Sequence, residues 1–220
     1  MIKVALATIP KDSGTFTFYR NIAPELLKQG IEMYCVSVGR REALLWNEDY
    51  ANENCIKLAP HLLRIKSQAK AFVKWVEKEK INIVIGLNSQ PVLSSIPHLP
   101  KSVHALARCA NGFEHGYKIT LAGSERLEKI VALTPKLRND LIHEYGVSPS
   151  VIALIPNGIN EKAYALSRKR KRGGEETLKL AFVGRLEHTQ KGVFHLLGIL
   201  EALYKRKVYF KLSIAGKGKH

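Results

Sequence analysis

Arg185 and Lys191 stand six residues apart in the stretch "LKLAFVGRLEHTQKG", residues 178–192, each beside a glycine, Gly184 or Gly192. The apolar run before them reads as a strand, and the periodic run after them reads as a helix, with Lys191 and Gly192 where that helix should begin. Helix starts attract anions, and two side-chain cations at one would hold a diphosphate. The plainer reading is two surface cations in a chain with 35 Lys and Arg against 19 Asp and Glu. A second glycine pair, Gly216 and Gly218 in "GKGKH", follows another strand-like run. A third candidate is Gly14 in "DSGT", where a missing side chain lets backbone N–H groups approach a phosphate or sugar, although glycine is common in such turns. The dinucleotide pattern G-x-G-x-x-G is absent after the first strand, which argues against simple NAD binding.

The elements that would position these residues alternate along the chain. "IKVALATI" (2–9) reads as a buried strand. Phe18, Ile22, Leu26 and Leu27 then share a helical face ending at Gly30, with Pro24 expected to kink that helix or delay its start. "IEMYCVSV" (31–38) is a second strand, giving β-α-β and a parallel crossover. A helical stripe from Leu62 to Val76 follows, then strands at 81–87, 103–109, 129–134 and 150–156. A helix is expected over much of 113–126. Another helix is expected to be capped by Thr134, to open on Pro135, to turn Leu137, Leu141 and Tyr145 inward, and to stop at Gly146. This rhythm predicts an α/β, Rossmann-like parallel-sheet domain over 1–156. Residues 157–177 carry "RKRKRGG" without apolar period and read as a basic linker. From 178 to 220 strand–helix–strand returns, with Val193, Leu196, Leu197, Leu200, Leu203 and Tyr204 on one helical stripe. A unit that small buries little surface, so it reads as the start of a second Rossmann-like domain.

The 220 residues are 45% hydrophobic and 25% charged, enough for a core and unlike a disordered chain. No apolar run spans a bilayer and the start lacks a signal-peptide pattern, so a cytoplasmic protein is expected. The net charge of +16 draws anionic partners, whether nucleic acid, acidic lipid headgroups or phosphorylated substrates. Cys35, Cys55 and Cys109 contain no C-x-x-C pair, against both a disulfide framework and a zinc site. Cys35 reads as core, and Cys109, beside "ANG", as core or cleft-facing.

"LIPNGIN" (154–160), "LAFVGRLEHTQKG" (180–192) and "LSIAGKG" (212–218) resemble, in order and spacing, successive signatures of the retaining GT-B glycosyltransferases of family 4. "TPKLRNDLIHEYGV" (134–147) is similar to the segment preceding them. The resemblance implies an N-terminal acceptor domain and a C-terminal nucleotide-sugar domain. Arg185 and Lys191 would then hold the donor diphosphate without a metal, Gly216 and Gly218 would lie near the nucleotide, and Gly14 in the loop closing over the reaction centre. No cofactor is implied beyond the donor, and the acceptor would be a sugar or a lipid-linked sugar, with peripheral association at an anionic inner membrane face. The family's paired-glutamate motif would lie past residue 220, so the chain reads as truncated within its second domain. Arg108 stands where family members often carry a histidine; it either holds a phosphorylated or acidic acceptor or pairs with a carboxylate. His115 is a weak candidate for the otherwise unassigned catalytic group, since a lone histidine is more often structural. The competing reading is a non-catalytic basic α/β module for nucleic acid or anionic membrane. Against nucleic acid, no aromatics interleave the basic runs and no recognition motif appears.

Overall fold

The computed structural model describes residues 1–158 and 177–218, apart from the side chain of Gln190. The chain divides into two units, Met1–Ile159 and Asn160–His220. The expected linker, 157–177, therefore falls almost wholly outside the described residues.

In the first unit, seven parallel strands form one sheet: β1 (Ile2–Ala7), β2 (Ile31–Val38), β3 (Cys55–Leu58), β4 (Ile83–Gly86), β5 (His104–Cys109), β6 (Leu127–Ala132) and β7 (Ile152–Leu154). Their order is β3-β2-β1-β4-β5-β6-β7. The chain thus builds outward from β1 in one direction, returns, and builds outward in the other. Register is tight at the centre, with Val4 opposite Met33 on one side and Ile83 on the other. β1 and β2 are buried because side chains on both faces are apolar: Ala5, Ala7, Val36 and Val38 enter one core cluster, and Val4, Leu6, Met33 and Cys35 the other.

Helix α1 (Gly14–Leu27) covers the second cluster with Phe16 and Tyr19 fully buried. The Phe16 N–H donates to the Ser13 hydroxyl at 3.3 Å, which caps the helix at its start. Pro24 lies well inside α1, so it does not delay the start. Leu27 is 52% exposed and leaves the inner face, which ends at Leu26. α2 (Arg40–Ala43), α3 (Ile65–Lys78), α4 (Gln90–Ser95), α5 (Glu114–Thr120) and α6 (Pro135–His143) complete the first unit. α3 presents Gln68, Ala69, Phe72 and Val76 inward. α5 is shorter than the expected 113–126 because the chain turns at Gly123, which adopts the left-handed φ of +74°. At α6 the cap expectation holds: the Leu137 N–H donates to the Thr134 hydroxyl at 3.2 Å and Pro135 opens the helix. The Tyr117 hydroxyl of α5 donates to Asp140 of α6, and the Tyr117 and Tyr145 rings stack at 4.6 Å. Cys109 is sealed in the core rather than facing a cleft.

The second unit pairs β8 (Leu178–Val183) with β9 (Phe210–Ala215) in parallel, joined through α7 (His188–Lys191) and α8 (His195–Lys205). Among its described residues none is fully buried. Val193, Leu196, Leu200 and Leu203 form the half-buried stripe, whereas Leu197 and Tyr204 are 65% and 80% exposed and lie off it.

Candidate functional site

The order of the first sheet reverses between β1 and β4, and ligands of such sheets bind beyond the carboxyl ends of the strands near that reversal. A cavity of about 680 Å³ opens there. Ile9 and Lys11 reach it from the end of β1, Arg40, Arg41 and Glu42 from the end of β2, Asn88 from the end of β4 and Asn111 from the end of β5. His115, the second residue of α5, lines it as well. Three fixed cations against one carboxylate make the cavity attractive to an anionic or polyhydroxyl ligand.

Glu42 is the most constrained of these groups. Its Oε2 accepts the Val38 N–H at 2.7 Å, which ties α2 to the end of β2. Burial pushes the carboxyl above the ordinary carboxylate range. The Ser89 hydroxyl, the Val38 N–H, Lys11 and Arg41 pull it partly back. A raised pKa in the folded state means that the folded protein binds this proton more tightly than the unfolded chain does. The associated stability is present below the ordinary carboxylate pKa and lost as pH rises through the folded value. Glu42→Gln is therefore expected to gain stability over wild type at pH 7, with the gain vanishing by about pH 4. Urea unfolding at the two pH values measures this, and a gain larger at the acidic end would contradict it.

Of the residues singled out in the sequence, only His115 lines this cavity. Gly14 is the first residue of α1, where a Cβ would meet nothing within 4 Å, so space there does not demand glycine. Arg108 points to the α1 side of the sheet, its guanidinium 4.2 Å from the centre of the Phe18 ring. Of its two expected roles, pairing with a carboxylate is not met among the described residues; its Nη2 donates to the neutral Asn157 Oδ1 at 2.7 Å.

In the second unit the Arg185–Lys191 loop has a defined geometry. Lys191 is the last residue of the four-residue α7 rather than the start of the long helix. Gly192, at φ +64°, turns the chain toward α8 in a backbone region that a residue with a Cβ rarely adopts. The Lys191 side chain still runs back over Gly184, its Cδ 3.9 Å from where a Cβ on that glycine would stand. This brings its stem beside the residue that precedes Arg185. Arg185 Nη2 lies 3.6 Å from Glu187 Oε2, and the Arg185 side chain is 65% exposed. The loop is braced by the His188 and Phe194 rings, stacked at 4.8 Å, and by the Phe194 N–H, which donates to His188 Nδ1 at 3.4 Å.

Gly216 and Gly218 have a structural reason to be glycine. A Cβ on Gly216 would collide with the Gly184 carbonyl, and one on Gly218 with the Leu186 carbonyl. The missing side chains let the segment after β9 pair with the segment after β8. There the Gly184 N–H donates to Ala215 O at 3.0 Å and the Leu186 N–H to Lys217 O at 2.9 Å. The glycines thus shape the same loop that carries Arg185.

Sequence reading missed Lys11, Arg40, Arg41 and Glu42. The available signal was position: each falls within four residues of the end of β1 or β2.

These strand ends and this topology define a Rossmann-like α/β fold of the kind found in GT-B glycosyltransferases. A glycosyltransferase from Rickettsia africae ESF-5 superposes with a TM-score of 0.60 at 16% identity, covering 98% of this chain and 60% of that one. UDP-N-acetylglucosamine 2-epimerase from Rickettsia bellii gives 0.52 at 15% identity, over 97% and 62%. S. aureus MnaA, solved with UDP, gives 0.55 at 11% identity, over 100% and 63%. At these identities the likeness shows the fold alone, and the chain spans less than two thirds of the length of these structures. No curated protein matches it. Residues 13–163, well over half of the chain, match the profile of Glycosyltransferase Family 4, and the chain belongs to that family.

Proposed function

We propose that this chain takes part in transfer of a sugar from a nucleotide-sugar to an acceptor hydroxyl with retention of anomeric configuration. One observation carries the reading: the family match, 13–163, covers the unit in which the strand-end cavity lies. In this reading the cavity receives the acceptor. Lys11, Arg40 and Arg41 draw in an anionic or surface-borne acceptor, while Asn88 and Asn111 orient its hydroxyls. His115 is close enough to the cavity to exchange a proton with one of them. Arg185 and Lys191 hold the donor diphosphate and stabilise the negative charge that grows on it as the glycosidic bond breaks. Fixed cations serve this purpose because they need no reorganisation at the moment of reaction. No cofactor beyond the donor is required by this scheme. Positioning supplies the remainder, by holding the acceptor oxygen against the anomeric carbon on the face the leaving group departs from. The basic surface also suits work at an anionic membrane face; no helix among the described residues is long and apolar enough to cross a membrane.

Calorimetric titration with UDP, GDP and their sugars tests the reading. Saturable binding of one nucleotide, with its sugar bound at least as tightly, is expected. No saturable binding of any of them would contradict it.

A further inference from the structure

Arg108 is 7% exposed and occupies the carboxyl-terminal half of β5. A guanidinium stays protonated at neutral pH, so this is a buried positive charge. Burial depresses its pKa, as expected where water no longer solvates the charged form. Its surroundings do little to compensate. Nη2 donates to Asn157 Oδ1 at 2.7 Å, the guanidinium carbon stands over the Phe18 ring at 4.2 Å from its centre, and the Nε–H, sealed from solvent, has no acceptor among the described residues. Among the described residues no carboxylate lies within ion-pair distance.

Another partly buried arginine of the same unit shows what a structural role looks like. Arg126 Nη2 is shared among three backbone carbonyls, of Pro100 at 2.9 Å, Val103 at 3.4 Å and Leu99 at 3.5 Å. It closes a turn and its environment is matched to it. Arg108 instead keeps an unused donor and, among the described residues, an unbalanced charge, both costly in a protein interior unless an anion completes them. Its place also favours a ligand: it lies near the strand ends on the α1 side, and Phe18 is one helical turn, about 6 Å, from the start of α1. Nothing lies within 4 Å of a Cβ position on Gly14 at that start.

We infer that Arg108, with Asn157 and Phe18, forms a receptor for the oxyanion of a small molecule, a phosphate or carboxylate group, separate from the cavity lined by Lys11, Arg40 and Arg41. The aromatic ring backs the guanidinium, Asn157 holds one of its nitrogens, and the remaining donors are left for the oxygens. On the transferase reading, this makes one of the two substrates carry its negative charge to the α1 side of β5.

The test uses the free 220-residue chain with inorganic phosphate and, separately, acetate, at constant ionic strength. The Arg108 Nε–H signal in nitrogen-edited NMR, assigned by through-bond correlation to the carbons of its own side chain and checked by its loss in Arg108→Met, reports the site directly. Phosphate or acetate is expected to move it saturably, and the stronger of the two names the group. Asn157→Asp places a carboxylate on the guanidinium from within the chain. It is expected to raise the melting temperature and to weaken anion binding at this signal roughly tenfold or more. Both results are read without relying on Arg108→Met remaining folded. An Nε–H signal indifferent to both anions, or Asn157→Asp binding them as wild type does, would overturn the inference. Neither assay involves a nucleotide, so failure here leaves the donor reading standing, and failure of nucleotide binding leaves this site standing.

Discussion

Replacing Arg185 and Lys191 together with alanine is expected to weaken nucleoside-diphosphate binding by roughly a hundredfold. Hydrogen bonds to charged groups contribute about 1.5–3 kcal/mol each, so the pair is worth about 3–6 kcal/mol. The Arg185 side chain is 65% exposed, which argues for the lower end because water screens both partners. About 3 kcal/mol corresponds to somewhat more than two decades in dissociation constant. The Lys191 stem lies over Gly184, so each single variant should lose part of the affinity and the double variant most of it. The two side chains bear on one ligand, so the single losses are not expected to add. Neither side chain is buried, and the variants should keep the thermal stability of wild type. Calorimetry with UDP and GDP measures the effect. A double variant that binds as tightly as wild type would remove these two residues from the donor site.

The second large effect concerns stability. Phe72→Ala is expected to cost the first unit about 3–5 kcal/mol, the usual range for deleting a buried aromatic ring. Phe72 is 1% exposed, lies on the inner face of α3 and packs 5.9 Å from the Trp75 ring. The ring belongs to the core cluster that includes Val36, Val38 and Val92, so its loss leaves a cavity within the core rather than at the surface. Against a total stability of about 5–15 kcal/mol, this is a large fraction. The melting temperature should fall by about 10 °C or more. Both tryptophans, Trp46 and Trp75, belong to the first unit, so tryptophan fluorescence follows this unit alone. A change below about 1 kcal/mol would mean that α3 is not packed as described.

How much of this was visible in the sequence depends on what each feature's signal rests on. β1 and β2 were legible because strands buried on both faces are nearly continuous in apolar residues. The start of α6 was legible because Thr134 and Pro135 have local chemistry that works whatever surrounds it. β3 was not, being four residues at the sheet edge, three half-buried and one exposed, whose strand character comes from pairing with β2. α4 was missed because six residues give too little period to recognise. The over-long helix placed on 113–126 failed at Gly123, where backbone conformation outweighed the pattern.

The site was legible only in part, for a related reason. Glycines beside strands are conspicuous, and all of those singled out do lie at strand or helix ends. Gly216 and Gly218, however, owe their identity to backbone pairing with Gly184 and Leu186, which no local pattern discloses. Lys11, Arg40 and Arg41 were hidden among 35 basic residues. Only the order of the strands separates them from cations on the solvated surface, because it brings the ends of β1 and β2 to the same cavity. Arg108 was conspicuous as a residue. That no carboxylate among the described residues pairs with it became evident only once the strands were in register.

The most direct test of the account is to map nucleotide binding onto the chain by nitrogen-edited NMR, titrating UDP and GDP with the backbone amides assigned. The account predicts that the amides moving most lie in 184–192 and 216–218, and that these shifts disappear in the Arg185→Ala, Lys191→Ala double variant. Shifts confined to residues outside those two segments, or unchanged in the double variant, would contradict it.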